Sequence, residues 1–157
     1  MQALLAFDQL PPLAAPLRLF LSAPLFGMLA GLLMLYSGPD ILASRWTPAA
    51  LALTHLMTAG FMLHIMLGAL LQILPVVAGA NMPRPMRVAS LVHATISSGT
   101  LLLVAAFLSF LPLLFNAAAL LLGVGVTLFV VTAAQALRGG ASMSHTILGL
   151  KLALVGR

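Results

Sequence analysis

The chain has 157 residues, of which 62% are hydrophobic and 6% are charged, and its mean hydropathy is +1.19. A soluble domain is about 45–50% apolar and about 25% charged, so this composition excludes a cytosolic enzyme and a nucleic-acid-binding protein. Seven basic residues against two acidic ones give an isoelectric point of 11.7, and basic residues this sparse are typical of the flanks of membrane spans.

Four apolar stretches are each long enough to span a bilayer, which takes about 20 residues. They cover residues 19–36, 48–77, 88–111 and 113–137, and a short fifth apolar segment covers residues 141–156. The fifth segment is expected to be an interfacial helix or the first part of a spanning helix whose remainder is absent. The sequence therefore predicts an all-α membrane protein, an up-down bundle of four transmembrane helices in a single domain, residues 1–157.

The first 16 residues are not expected to be a secretory signal. They lack a basic start and contain Asp8, and the prolines at positions 11, 12 and 16 are expected to break up any long helix. We expect this segment to lie at the membrane surface.

The basic residues predict the orientation of the spans. Six of the seven fall on one side of the predicted bundle, and only Arg45 falls on the other. Because basic loops stay in the cytoplasm, both termini are predicted to be cytoplasmic in a multi-pass protein of the cell (inner) membrane. The six are Arg18, Arg84, Arg87, Arg138, Lys151 and Arg157.

Histidines are the side chains most able to carry chemistry here, because an ionisable group inside a bilayer is costly unless it is paired or ligating. His55 lies about two turns into the second predicted span, and His64 follows nine residues later. Nine residues make about two and a half α-helical turns, so the two rings are predicted to face different neighbours. Met62 and Met66 extend the His55 face as an apolar stripe. The chain has four histidines: His55, His64, His93 and His145.

His55 has two interpretations. Either it hydrogen-bonds a neighbouring Thr or carbonyl, or its neutral imidazole ligates the iron of a haem lying in an apolar slot. A chain without Cys cannot attach haem covalently. In that hypothesis Met62 and Met66 exclude water, and Arg45 meets a haem propionate.

The segment from His55 to Pro75, HLMTAGFMLHIMLGALLQILP, resembles the second helix of the catalytic subunit of the haem–copper oxidase superfamily, most closely in its nitric oxide reductase branch. A weaker resemblance is to NnrS-type haem membrane proteins. The resemblance implies that His55 is an axial ligand of a low-spin haem b near the outer face. The superfamily takes its other haem and metal ligands from later helices, so this chain is not expected to be a complete enzyme alone; if catalytic, it is an oxidoreductase.

The second axial ligand is left open by the sequence. It is His55 of a second copy in a homodimer, Met34, or a residue from a partner subunit. His93 is expected to be a hydrogen-bonded polar residue, with Gln72 as its partner, or to form a second metal site with His145. His64 is expected to be packed among small residues, with metal ligation as the alternative.

The sequence thus predicts a b-type haem-binding membrane protein of electron transfer, in contact with the lipid bilayer and acting as a homo-oligomer or with larger redox subunits. Two alternatives remain. One is a copper-handling protein that uses His64 and nearby methionines, since soft ligands suit Cu(I). The other is a cofactor-free structural or assembly subunit of a membrane redox complex.

Overall fold

Four long helices make up most of residues 11–139, the part of the chain that this computed structural model describes. Helix α1 spans Ala14–Ser37, α2 spans Pro48–Ala78, α3 spans Pro85–Ser109 and α4 spans Pro112–Gly139. Each helix is long and apolar enough to cross a bilayer, with a mean hydropathy of 1.9 to 2.3 in its span window. For residues 11–139, the predictions of an all-helical fold and of four membrane spans are confirmed. The fifth apolar segment, residues 141–156, lies outside the described residues.

The helix ends follow from local sequence. Helices α2, α3 and α4 each begin with a proline, at Pro48, Pro85 and Pro112, where the missing N–H would have had no helical partner. The Thr47 hydroxyl caps α2 by accepting a hydrogen bond from the amide of Ala50 at 3.1 Å. The predicted start of the second span at residue 48 therefore matches the observed one.

Helix α1 begins earlier than the sequence predicted. The expectation that Pro16 would break the helix is wrong, because Pro16 lies in the first turn of α1, where a proline costs no hydrogen bond. The helix consequently starts at Ala14, ahead of the predicted span start at residue 19.

Helix α2 is not a uniform α-helix. Its middle portion, Leu56–Met62, is π-helical, with backbone hydrogen bonds from residue i+5 to residue i. Here Gly60 lies against the ring of Phe26 in α1, and a Cβ on Gly60 would lie only 2.6 Å from that ring. The absence of a side chain at Gly60 therefore allows α1 and α2 to approach closely.

The buried side chains form two clusters. The larger one joins all four helices through residues such as Leu19, Leu71, Val92 and Phe129, and a smaller one surrounds Phe26. Many large apolar side chains point outward instead, and Leu35 is 82% exposed. Because water would penalise such a surface, the outer faces of the four helices suit contact with lipid. The chain is thus a multi-pass membrane protein.

Candidate functional site

His55 lies at the end of the first α-helical portion of α2 and is half-buried. Its Nδ1 lies 2.7 Å from the carbonyl oxygen of Leu51, one turn earlier. A carbonyl can only accept, so Nδ1 carries the proton and Nε2 of the neutral ring keeps a free lone pair. The ring also stacks on Phe107 of α3, with centroids 5.1 Å apart and planes inclined by 30°. These two contacts fix both the tautomer and the orientation of the ring.

The other residues predicted to surround a haem lie mainly on the outer surface. Met62 is 53% exposed and Met66 is 57% exposed, so both face lipid in the single chain. Met34, near the end of α1, is 43% exposed. Arg45 is exposed in the connection between α1 and α2, where its guanidinium carbon lies 5.3 Å from the centroid of the Trp46 ring. None of these side chains is enclosed within the four helices.

The sequence predicted that His55 and His64 face different neighbours; they contact different residues, but both rings contact α3. His55 stacks on Phe107 of α3, and His64 hydrogen-bonds Ser97 of the same helix. The reason is the π-helical segment between them, in which each residue advances less around the axis than in an α-helix. The prediction assumed an α-helical twist throughout α2. Both rings therefore turn toward α3.

A second group of polar side chains brings α1, α2 and α3 together around His64 and His93. His64 is fully buried, and its Nε2 lies 2.9 Å from the hydroxyl oxygen of Ser97. His93 Nε2 lies 2.6 Å from the hydroxyl oxygen of Ser22 in α1. The two imidazoles meet edge to face, with centroids 5.9 Å apart, and Phe26 packs on His64 at 5.0 Å. We call Ser22, His64, His93 and Ser97 the polar cluster.

The interpretation of His93 as a hydrogen-bonded polar residue is confirmed, but its predicted partner is wrong. Nε2 of His93 bonds Ser22 of α1 rather than Gln72 of α2. The sequence analysis missed Ser22, whose hydroxyl also donates to the carbonyl oxygen of Arg18 at 2.8 Å. Arg18, one turn before Ser22, enters the same region and donates to the Ser90 hydroxyl at 2.6 Å.

The hydrogen bonds at His64 leave its ring without a free nitrogen. Its Nδ1 lies 3.1 Å from the carbonyl oxygen of Ala59, five residues earlier, so Nδ1 donates and Nε2 accepts from Ser97. His64 is packed inside the bundle, but it contacts the rings of Phe26 and His93 rather than small residues alone; Phe26 also lies against Gly60.

The proposed copper ligands are not gathered around His64 in the described chain. His64 is fully buried, whereas Met62 and Met66 are both more than half exposed. Within residues 11–139, no three His, Cys, Asp or Glu side chains are placed so that they could hold one metal ion. His145 lies outside the described residues, so its pairing with His93 stays a prediction.

The hydrogen bonding of His55 suits a histidine that ligates a haem iron, and no other His, Cys, Asp or Glu of the described residues groups with it as the ligands of a metal ion would. A histidine that ligates a metal usually donates its other ring nitrogen to a carboxylate, carbonyl or water, which is the arrangement of Nδ1 here. With Nδ1 bonded, His55 could offer a haem iron one ligand, through Nε2. A second ligand would have to come from another residue.

Comparison with known proteins adds no assignment. No family model, curated protein or solved structure matches the chain.

Proposed function

We propose that this chain is a b-type haem-binding protein of the inner membrane that takes part in electron transfer, with His55 Nε2 as an axial ligand of the iron. The observation that carries the proposal is the 2.7 Å hydrogen bond from His55 Nδ1 to the Leu51 carbonyl. It leaves Nε2 as the free lone pair and holds the ring in one orientation.

Resemblance supports the same assignment. In the haem–copper oxidase superfamily, which the segment from His55 to Pro75 resembles, a histidine near the start of the second helix binds a low-spin haem b. Haem supplies one-electron redox chemistry when bound. In our proposal this chain's own residues hold and shield it: His55 ligates, Phe107 stacks against the His55 ring, and apolar side chains exclude water.

A homodimer is the simplest way to complete the site. The chain supplies one imidazole at His55, and a second copy across a two-fold axis supplies an identical one. The exposed Met62 and Met66 suit this arrangement, because a second copy would cover them. In this proposal Arg45 reaches a haem propionate at the outer surface. A ligand from Met34 or from a larger redox subunit is the alternative.

The proposal includes an orientation and a topology. We propose an up-down bundle with both termini in the cytoplasm, because six of the seven basic residues then lie on the cytoplasmic side. His55 is then near the outer face of the membrane.

The absorption spectrum of the purified chain tests the function. We expect a Soret band, with split visible bands on reduction, from wild-type protein. His55→Ala should abolish these bands, because it removes the ligand. The matched control is His93→Phe, which removes a histidine of the polar cluster, keeps a ring in its place and should leave the spectrum unchanged.

A colourless wild-type chain would contradict the proposal. Colourless, metal-free protein that copurifies with larger subunits would favour the structural or assembly subunit, and bound copper without visible absorption would favour the copper-handling protein. Unchanged bands in His55→Ala would show that another residue binds the haem.

A further inference from the structure

One arginine side chain is held between two helices at an end of the bundle. Arg18 of α1 is half-buried, and its Nη1 donates to the hydroxyl oxygen of Ser90 in α3 at 2.6 Å. The Ser90 hydroxyl donates its own proton to the carbonyl oxygen of Met86 at 2.7 Å, so it can only accept from Arg18. Nε of Arg18 donates to the carbonyl oxygen of Ala14 at 3.3 Å. These contacts with both helices hold the guanidinium in place.

The guanidinium of Arg18 has donors to spare for a ligand. An arginine has five N–H donors, and the bonds to Ser90 and Ala14 use two of them. The donors form a planar fork that matches the oxygens of a carboxylate or a phosphate. Arg18 therefore suits an anion that lies against the junction of α1 and α3.

The same end of the bundle is basic. Arg87 is exposed and precedes Ser90 by three residues, so it lies one turn away on the same side of α3. Arg84 is exposed just before α3, and Arg138 lies in the last turn of α4. Asp40, the only acidic residue among residues 11–139, lies between α1 and α2 at the opposite end. Within the described residues, no carboxylate neutralises this positive charge.

Exposed leucines continue from the two arginines into the apolar spans. Leu21 follows Arg18 by about one turn and is 63% exposed, and Leu91 follows Arg87 by about one turn and is 56% exposed. Both leucines lie within helices apolar enough to cross a bilayer. An anion on Arg18 and Arg87 would therefore lie at the border between head groups and hydrocarbon, where the phosphate of a phospholipid is found.

We propose that Arg18 and Arg87 bind the head group of an anionic phospholipid at the junction of α1 and α3. Its phosphate accepts from the remaining N–H groups of Arg18, Arg87 adds a second positive charge, and the acyl chains lie along Leu21 and Leu91. In the orientation proposed above, this site faces the cytoplasmic leaflet, whose anionic lipids attract basic residues. The proposal does not depend on haem binding, because His55 lies in the opposite half of α2.

Native mass spectrometry tests the site, because it resolves individual bound lipids. The full chain in detergent would be titrated with phosphatidylglycerol or phosphatidylcholine, and the Kd of the first bound lipid measured. We expect the wild type to prefer phosphatidylglycerol and Arg18→Gln to weaken its binding about fivefold. Arg138→Gln is the matched control, because it removes the same charge at the same end of the bundle, and it should bind as wild type does.

Arg87→Gln gives a second measurement of the same site. Arg87 is exposed, so its replacement keeps the Arg18–Ser90 bond and serves in place of Arg18→Gln if that variant fails to fold. It should also weaken phosphatidylglycerol binding about fivefold and leave phosphatidylcholine binding unchanged.

Four outcomes would overturn the proposal. The wild type binds phosphatidylcholine as tightly as phosphatidylglycerol, a folded Arg18→Gln or Arg87→Gln variant binds phosphatidylglycerol as tightly as Arg138→Gln does, or inorganic phosphate displaces the bound phosphatidylglycerol. The fourth is a preference for phosphatidylglycerol that appears only in Asp8→Asn, because the Asp8 carboxylate, outside the described residues, would then be the anion at Arg18.

Discussion

Ser97 and Thr100 lie one turn apart on α3, and only one of their two hydroxyls has a hydrogen-bond partner in another helix. Ser97 bonds the buried His64 ring at 2.9 Å, whereas the Thr100 oxygen is buried with no hydrogen-bond partner. A buried hydroxyl without a hydrogen-bond partner lowers the free energy of unfolding. Removing a paired hydroxyl leaves its hydrogen-bond partner unsatisfied. The two residues therefore offer a matched pair of substitutions.

We expect Ser97→Ala to lower the free energy of unfolding by about 1 kcal/mol, because His64 Nε2 loses its donor, an effect typical of hydrogen bonds between membrane helices. Thr100→Val should leave stability unchanged or raise it. Unfolding of both variants in the same detergent measures the difference. Equal losses would contradict the hydrogen-bonding pattern of α3.

The sequence predicted that His93 is hydrogen-bonded, but not to which residue. Because burying an unpaired polar group in an apolar span is costly, histidines there are expected to have hydrogen-bond partners, and His93 has one. Its partner Ser22 depends on the register of α1 against α3, which no local pattern in either helix encodes. For His55, the sequence left a carbonyl bond and iron ligation as alternatives. The Nδ1 bond to Leu51 is compatible with both, because Nε2 stays free.

At the scale of the helices, the contact of Gly60 with Phe26 sets the distance between α1 and α2. Gly60→Ala places a methyl group 2.6 Å from the Phe26 ring, so we expect a loss of about 1–3 kcal/mol in unfolding free energy. Gly31→Ala is the control, because the added methyl group has no atom within 4 Å apart from its chain neighbours and the backbone of its own helix. Thermal unfolding of both variants measures the contrast.

The double variant Gly60→Ala with Phe26→Leu makes the test specific. It should recover part of the loss, because a smaller side chain gives the methyl group room. If Gly60→Ala is as stable as Gly31→Ala, the close approach of the two helices is wrong.

Helix boundaries were predicted well where proline marks a start and poorly elsewhere. Pro48, Pro85 and Pro112 begin helices close to the predicted starts. The early start of α1 and the π-helical segment Leu56–Met62 were not predicted. The π-helical segment has no sequence signature of its own. In the structure it lies where α2 packs against Phe26 and α3.

At the scale of the whole molecule, apolar composition was enough to predict the four spans, because a bilayer requires helices of this length and hydropathy. Charge distribution predicts orientation, and it does so independently of packing. Which partners the bundle binds depends on side chains that are exposed in the single chain, such as Met62 and Met66, and the sequence does not say what covers them.

Orientation is directly measurable because the chain has no Cys. We expect Ser44→Cys, in the exposed connection between α1 and α2, to react with a membrane-impermeant maleimide in intact spheroplasts. Asn81→Cys, exposed between α2 and α3, should react only after permeabilisation. The reverse pattern would place the termini outside and His55 near the cytoplasmic face.

Ligand rescue tests the role of His55 most directly. We predict that His55→Gly, purified with added haem, lacks the Soret band of the wild type, and that exogenous imidazole restores the band by taking the place of the missing ring. A His55→Gly protein that keeps the wild-type spectrum without imidazole would contradict the assignment of His55 Nε2 to the iron.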